Sequence, residues 1–202
     1  INEDQHFFLI RSEIKLKKRK RIFLEDSRYF VEDVRKNVVE KYGFDKVYKQ
    51  GFNIKTPLNL DLQNIATKSL RVGLVNYDKR KGWRGPLINK KFNDKWTEGL
   101  EKFKLENSIG WNIAIVKRID KFEAIIETTD KLTGIIEYED INWTRKNFDK
   151  LFKIGDVIYV KKKNEGNYSL KQLPKANGAI VVMDPYSGRV YAISGGFSFK
   201  KS

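Results

Sequence analysis

At 202 residues the chain can hold one large domain or two small ones, and its 40% hydrophobic content suits a globular protein rather than a disordered one. There is no cysteine and one histidine, His6, which excludes a disulfide framework, a thiolate metal site and a histidine-rich metal site. The net charge of +15 lies mainly in the N-terminal half: residues 1–109 carry 25 Lys/Arg against 15 Asp/Glu, and residues 110–174 carry 12 against 10. No apolar run approaches the roughly 18 residues needed to span a bilayer. The chain begins at Ile1 rather than Met, and the expectation is a trimmed N-terminus.

Residues 1–21 read as a helix. Asn2 can cap it with Gln5 as reciprocal partner, and Phe7, Ile10 and Ile14 share a face. The run Lys15 to Arg21 reads as a solvated helix end where cations suit the macrodipole; attraction to anionic lipid or nucleic acid is the functional alternative. Ser27 to Tyr42 predicts a second helix, with Phe30, Val34 and Val38 at four-residue spacing and Gly43 to terminate it. Phe52, Ile54 and Thr56 alternate like a short strand that Pro57 ends. Asn59 or Asp61 then caps a helix reaching about Tyr77, its apolar face being Leu62, Ile65, Ala66, Leu70, Leu74 and Tyr77.

Gly85-Pro86 marks a boundary. Phe92 to Leu105 reads as a helix or helical connector through Trp96, Leu100 and Phe103. From Gly110 the pattern changes to short strands, at about 111–119, 122–128, 132–138, 157–163 and 168–173. Five such strands, with a longer connection between the third and fourth, fit an OB-type barrel. The end of the chain is a hairpin. Ala179 to Met183 reads as a strand buried on both faces, Asp184-Pro185-Tyr186-Ser187-Gly188 as a turn, and Arg189 to Ile193 as the returning strand. An isolated hairpin is marginal in water, so 52–56 is expected to join its sheet, with the 60–77 helix packed across.

Several stretches resemble class A penicillin-binding proteins of the 1A type. Asn177 to Phe199 resembles the Gly-Ala-x-Val-x-Met-Asp-Pro-x-x-Gly-x-Val-x-Ala hairpin that opens the transpeptidase domain of that family. Tyr29 to Arg35 resembles the Tyr-Phe-x-Glu-x-Val-Arg segment following the glycosyltransferase domain. Ile54 to Gln63 resembles Val-x-Thr-Thr-Leu-Asp-x-x-Leu-Gln, with Pro57 in place of the second Thr and Asn59 in place of the Asp. Tyr77 to Pro86 resembles the Tyr-Asp-x-Arg-x-Gly-x-Arg-Gly-Pro stretch of 1A-type members, in which an OB-type module precedes the transpeptidase hairpin.

Two S-x-x-K strings occur, Ser12 to Lys15 and Ser198 to Lys201, but neither is followed by S-x-N or K-T-G, and Lys131-Leu132-Thr133-Gly134 has one residue too many. Glu32-Asp33 and Glu139-Asp140 are adjacent carboxylates that read as solvated or turn residues rather than an acid–base pair. No catalytic, cofactor-binding or metal residue is therefore assigned. The rival reading is an RNA-binding OB protein, suggested by the strand Gly155 to Val160. It is opposed by Glu123, Glu127, Glu137, Glu139 and Asp140 on or beside strands two and three, where a phosphate backbone would lie.

The expected fold is α+β: a five-stranded OB-type barrel inserted into linker helices and a small antiparallel sheet. The expected division is a linker helix over 1–26, helices and strand over 27–85, the OB-like insertion over 86–174, and a truncated first transpeptidase hairpin over 175–202. The resemblance implies a non-catalytic spacer and docking region of a bifunctional peptidoglycan synthase. It implies lipid II, peptidoglycan and penicillin as ligands of the parent, and a periplasmic or outer-membrane regulatory protein as a partner of the OB-like region. It also implies an inner-membrane anchor with the bulk in the periplasm; no cofactor is assigned, and the near-neutral charge of residues 110–174 argues against nucleic acid.

Overall fold

The structure, a computed structural model, describes His6, residues 24–93 and residues 95–201. Apart from His6, the helix expected over 1–21, with Ser12 and Lys15, lies outside the described residues. Helix α1 (Arg28–Tyr42) follows a 3-10 turn at Glu25–Ser27 and ends as the sequence predicts. Gly43 takes φ +83°, where a side chain would be strained, and returns its N–H to the Val39 carbonyl. Phe30 is buried under it, and Val34 and Val38 are half-buried.

Helix α2 (Leu60–Lys79) starts where Asn59 caps it, the side chain accepting from the Leu62 N–H at 3.0 Å. Its buried stripe is Gln63, Ala66, Thr67, Leu74 and Asp78, with Leu70 partly buried. That stripe is rotated from the predicted face: Ile65 and Tyr77 are exposed, and three polar side chains stand in their place. The rotation follows from specific polar tasks of Gln63 and Asp78, which periodic hydrophobicity does not register.

Strands β1 (Ile88–Asn89), β2 (Asn112–Ile119), β3 (Glu123–Thr128), β4 (Thr133–Glu137), β5 (Asp156–Lys162) and β6 (Tyr168–Lys171) form one antiparallel sheet. Five of them lie where the short apolar runs between turn residues put them. The order is β1-β5-β2-β3-β4, with β6 also on β5; β1 takes residues 156–157 and β6 residues 159–162. The sheet curls until β4 meets the β5–β6 turn, where the Ile135 N–H donates to the Gly166 carbonyl at 2.8 Å. This single parallel bridge is not a ladder, so the sheet is curled but not a closed five-stranded barrel. The seam is filled by a ring instead: a Cβ on Gly134 would stand 2.3 Å from the Tyr168 ring, so only glycine fits there.

Strands β2 and β5 are buried on both faces. Ala114, Val116, Ile158 and Val160 point into the curl, with Ile126, Ile136 and Leu170. Short helices α3 (Tyr138–Ile141) and α4 (Phe148–Leu151) add Ile141, Phe148 and Leu151 to that core. Ile113, Ile115, Val157 and Tyr159 point outward into a second core with Trp96, Leu100, Leu105, Ile109, Leu74 and Phe197. The segment supplying Trp96 and Leu100 is not the helix expected over 92–105. It is a series of turns with a 3-10 turn at Glu101–Phe103, and Gly99 at φ +73° interrupts any helix there.

The terminal hairpin pairs β7 (Ile180–Met183) with β8 (Val190–Ser194). Its turn works as read: Asp184 accepts from the Tyr186 N–H at 3.0 Å and from the Ser187 hydroxyl, and Gly188 takes φ +68°. Helices α1 and α2 pack on one face of the hairpin. The other face of β7 is open, with Val181 and Met183 exposed, so this strand is buried on one face only. Residues 52–56 do not join the sheet, because the free edge of β8 is already taken. The Asn59 N–H donates to the Tyr191 carbonyl, and the Gln63 carboxamide both accepts from the Ile193 N–H at 3.0 Å and donates to the Ile193 carbonyl at 2.9 Å. A single glutamine side chain thus substitutes for a third strand.

Candidate functional site

The polar side chains that sequence periodicity passed over converge where the curled sheet meets the helix–hairpin layer. Asp78, in the last turn of α2, is buried. Its carboxylate accepts from Arg84 Nη1 at 2.8 Å, Gln172 Nε2 at 2.8 Å and the Lys175 backbone N–H at 3.1 Å. Arg84 also donates from Nη2 to the Leu173 carbonyl at 2.7 Å, and its backbone N–H donates to Gln172 Oε1 at 2.8 Å. The chain running into the curled sheet at 82–84 and the chain leaving it at 172–175 are thereby tied to each other and to α2. Burial disfavours the charged form of Asp78, but the Arg84, Gln172 and Lys175 donors outweigh it and hold its pKa below the ordinary aspartate value.

A second tie uses Arg71 on α2. Its guanidinium meets Asp26 Oδ1 at 2.9 Å, Ser108 Oγ at 3.2 Å and the Phe197 carbonyl at 3.0 Å, while the Ser108 hydroxyl donates to Asp26 at 2.7 Å. A third uses buried Glu106, which accepts from Ser198 Oγ at 2.7 Å and from the Lys200 N–H at 2.7 Å. Burial opposes its ionisation, yet these donors and the charge of Arg71 depress its pKa. Between the ties lies apolar contact, the Trp111 ring 4.9 Å from Phe197 and 5.9 Å from Tyr159. Burial pushes the Tyr159 phenol up to about 12, and its hydroxyl donates to the Phe103 carbonyl at 2.5 Å.

The residues singled out for chemistry are occupied elsewhere. Ser198 is buried, its hydroxyl engaged with Glu106, and the Lys201 ammonium donates to the Lys102 carbonyl. Glu32 is gripped by Arg35 at 2.6 and 2.7 Å on the outside of α1, and Asp33 accepts from Asn37 at 3.2 Å. Asp140 pairs with Lys163 at 3.1 Å, and Glu139 is exposed at the start of α3. Among the described residues no group of His, Cys, Asp and Glu is placed to hold a metal ion. Glu127, on the face an RNA backbone would need, is buried under Trp96 Nε1 at 3.1 Å and Lys117 Nζ at 3.1 Å, so it is a packing anchor rather than a repulsive surface charge.

Gln63, Arg71, Asp78, Glu106 and Gln172 were not assigned from sequence. The signal that could have found three of them is a polar residue recurring on the apolar stripe of α2, at 63, 67, 71 and 78.

Residues 83–176 match the family model for the penicillin-binding protein OB-like domain. The chain is 34% identical over 198 residues to the penicillin-binding protein 1A of Rickettsia prowazekii (strain Madrid E), which covers 96% of this chain and 25% of that protein. It is 30% identical over 189 residues to the penicillin-binding protein 1A of Pseudomonas aeruginosa, covering 86% of this chain and 22% of the relative. The crystal structure of penicillin-binding protein 1A from Haemophilus influenzae aligns with a TM-score of 0.75 at 26% identity, over 100% of this chain and 30% of that one. The chain spans about a quarter of the length of the curated relatives it matches. None of these similarities supports the RNA-binding reading.

Proposed function

This chain is a region of a penicillin-binding protein of the 1A type, and from that premise we propose that it is the non-catalytic link between the glycan-polymerising and peptide-cross-linking domains of a bifunctional peptidoglycan synthase. In this reading residues 1–26 end the glycosyltransferase-side linker, 27–85 support the transpeptidase, 86–174 are the OB-like insertion and 175–202 begin the transpeptidase. The parent would polymerise lipid II, cross-link stem peptides through an acylated serine, react with penicillin, and sit on the periplasmic side of the inner membrane.

The observation that carries the proposal is the joint. Asp78, Arg71 and Glu106 each tie the curled sheet to the helix–hairpin layer, and one of these ties consumes Ser198, the one S-x-x-K serine among the described residues. Such a link would hold two working domains at a fixed attitude, with no S-x-x-K serine left free among the described residues. A regulatory protein docking on the OB-like region belongs to the same reading. It is supported by the exposed rings of Phe122 and Tyr138, which line a cleft of about 620 Å³ that shares no lining residue with the joint. The test is incubation with a fluorescent penicillin followed by intact-mass measurement. We expect no covalent adduct. A stoichiometric adduct that disappears in Ser12→Ala or Ser198→Ala overturns the proposal.

A further inference from the structure

We propose that the groove between α2 and strands β5 and β6 is a binding site for a compact multivalent anion of the phosphate or pyrophosphate class. The groove has a volume of about 420 Å³. Lys68 and Lys79 reach it from α2, Lys161 from β5 and Lys171 from β6, with Asn76 and Trp111 between them. Lysines on a surface ordinarily spread into water or pair with acids. None of these four has a carboxylate partner among the described residues, because the nearby acids are spoken for: Asp26 by Arg71, Asp78 by Arg84, Asp140 by Lys163. Lys79 is instead held over the Trp143 ring, 5.6 Å from its centroid.

The convergence is electrostatically uncomfortable. Burial, then the charges of Lys79, Lys161 and Lys163, push the half-buried Lys171 ammonium down to about 8 against the opposing pull of Asp140. An anion in the groove relieves that repulsion, which is the energetic reason to place one there. A monocarboxylate would neutralise one of the three groove ammonium groups that act on one another, Lys79, Lys161 and Lys171. A phosphate monoester or pyrophosphate carries the charge that several point-like ammonium groups require. At about 420 Å³ the groove has room for a ligand of this size, and Trp111 lines it with an aromatic surface.

Lys171 is the reporter. Its side-chain NMR resonances are followed while inorganic pyrophosphate, inorganic phosphate, or phosphatidylcholine vesicles containing phosphatidylglycerol are added to the whole chain. The expected result is a saturable shift with pyrophosphate, and a Lys171 pKa that rises from about 8 toward the ordinary lysine value. Because the ammonium is lost as pH rises through that value, the contribution of Lys171 to binding is present below about pH 8 and fades above it. The charged groups around Lys171 are Lys68, Arg71, Lys79 and Lys161 in the groove and Lys163 and Asp140 beside it, and burial with the neighbouring ammonium groups brings Lys171 to about 8.

Lys161→Gln/Lys171→Gln should weaken binding by about tenfold, while neutralising Lys15 to Arg21 should leave it in place. Competition by vesicles assigns the phosphate to a lipid headgroup; indifference to vesicles assigns it to a free ester; both support the site. Undiminished binding by the double variant, or an unmoved Lys171 at about 10 mM pyrophosphate, overturns it. If the double variant loses its native amide spectrum, Lys68→Gln/Lys79→Gln on α2 gives the same decision.

Discussion

The curled sheet and the helix–hairpin layer cover their strands with different materials. The sheet has a continuous apolar interior: Ala114, Val116, Ala124, Ile126, Ile136, Ile158, Val160 and Leu170 are wholly buried, and short helices plug the open end. The hairpin has two strands and no such interior. It is held by Tyr29 packed against Gly195, by Leu70 and Leu74 against Gly178, and by polar contacts from Gln63, Arg71 and Glu106. Apolar burial is non-directional, so the sheet tolerates small shifts. Hydrogen bonds to buried groups are directional, and losing one partner strands the other. The layer therefore keeps its attitude to the sheet through a few named atoms, which is how a joint differs from a core.

The contrast can be broken first in the sheet. Ile126→Ala opens a cavity in the curl and should lower stability by about 2–5 kcal/mol in chemical denaturation. Loss of protection over 112–162 is expected, because the sheet folds as one unit. A variant as stable as the wild type would mean that the interior can collapse around the gap.

Next is the joint. Asp78→Ala leaves the Arg84 guanidinium without its carboxylate, and because Arg84 is partly hydrated the expected loss is about 2 kcal/mol rather than that of a fully buried pair. Hydrogen exchange should rise at 172–176 while β3 stays protected. The pH response has a fixed sign. The carboxyls of Asp78 and Glu106 have depressed folded-state pKa values, so their contributions are present above the unfolded carboxyl values and disappear as pH falls through the lower folded ones. Acid should open the joint before it melts the curl; simultaneous loss would show that the two regions are one cooperative unit.

The mildest perturbation is Gln63→Leu. It keeps the bulk on α2 but removes the carboxamide that closes the β8 edge, leaving the Ile193 N–H and carbonyl without partners, for about 1–2 kcal/mol. Faster exchange confined to 190–194 is the expected signature. If 52–56 instead gains protection, that segment can act as the third strand once the edge is vacated.

The hairpin turn was legible because Asp184, Pro185 and Gly188 carry their conformations in their own covalent structure. The cap at Asn59 and the stop at Gly43 were legible for the same reason. Strands β2 to β6 could be read because short runs rich in apolar and β-branched residues between turn signals report burial directly. The resemblance motifs, spread along the chain in family order, pointed to the penicillin-binding proteins that the relatives also show.

The sequence alone therefore determined α1, α2, β2 to β8, the hairpin turn and the family, from motifs each spanning residues a few positions apart. The tertiary structure decided which face of α2 is buried, that Trp96 and Leu100 sit on turns rather than a helix, that the sheet curls without closing, and that Gln63 takes the edge expected for 52–56. It also decided where the joint lies. Asp78 and Gln172, Arg71 and Ser108, Glu106 and Ser198 are each separated by 37 to 94 residues. Polar partners that far apart leave no periodic trace in the sequence. A buried carboxylate reads locally like a solvated one until the fold brings its donors to it.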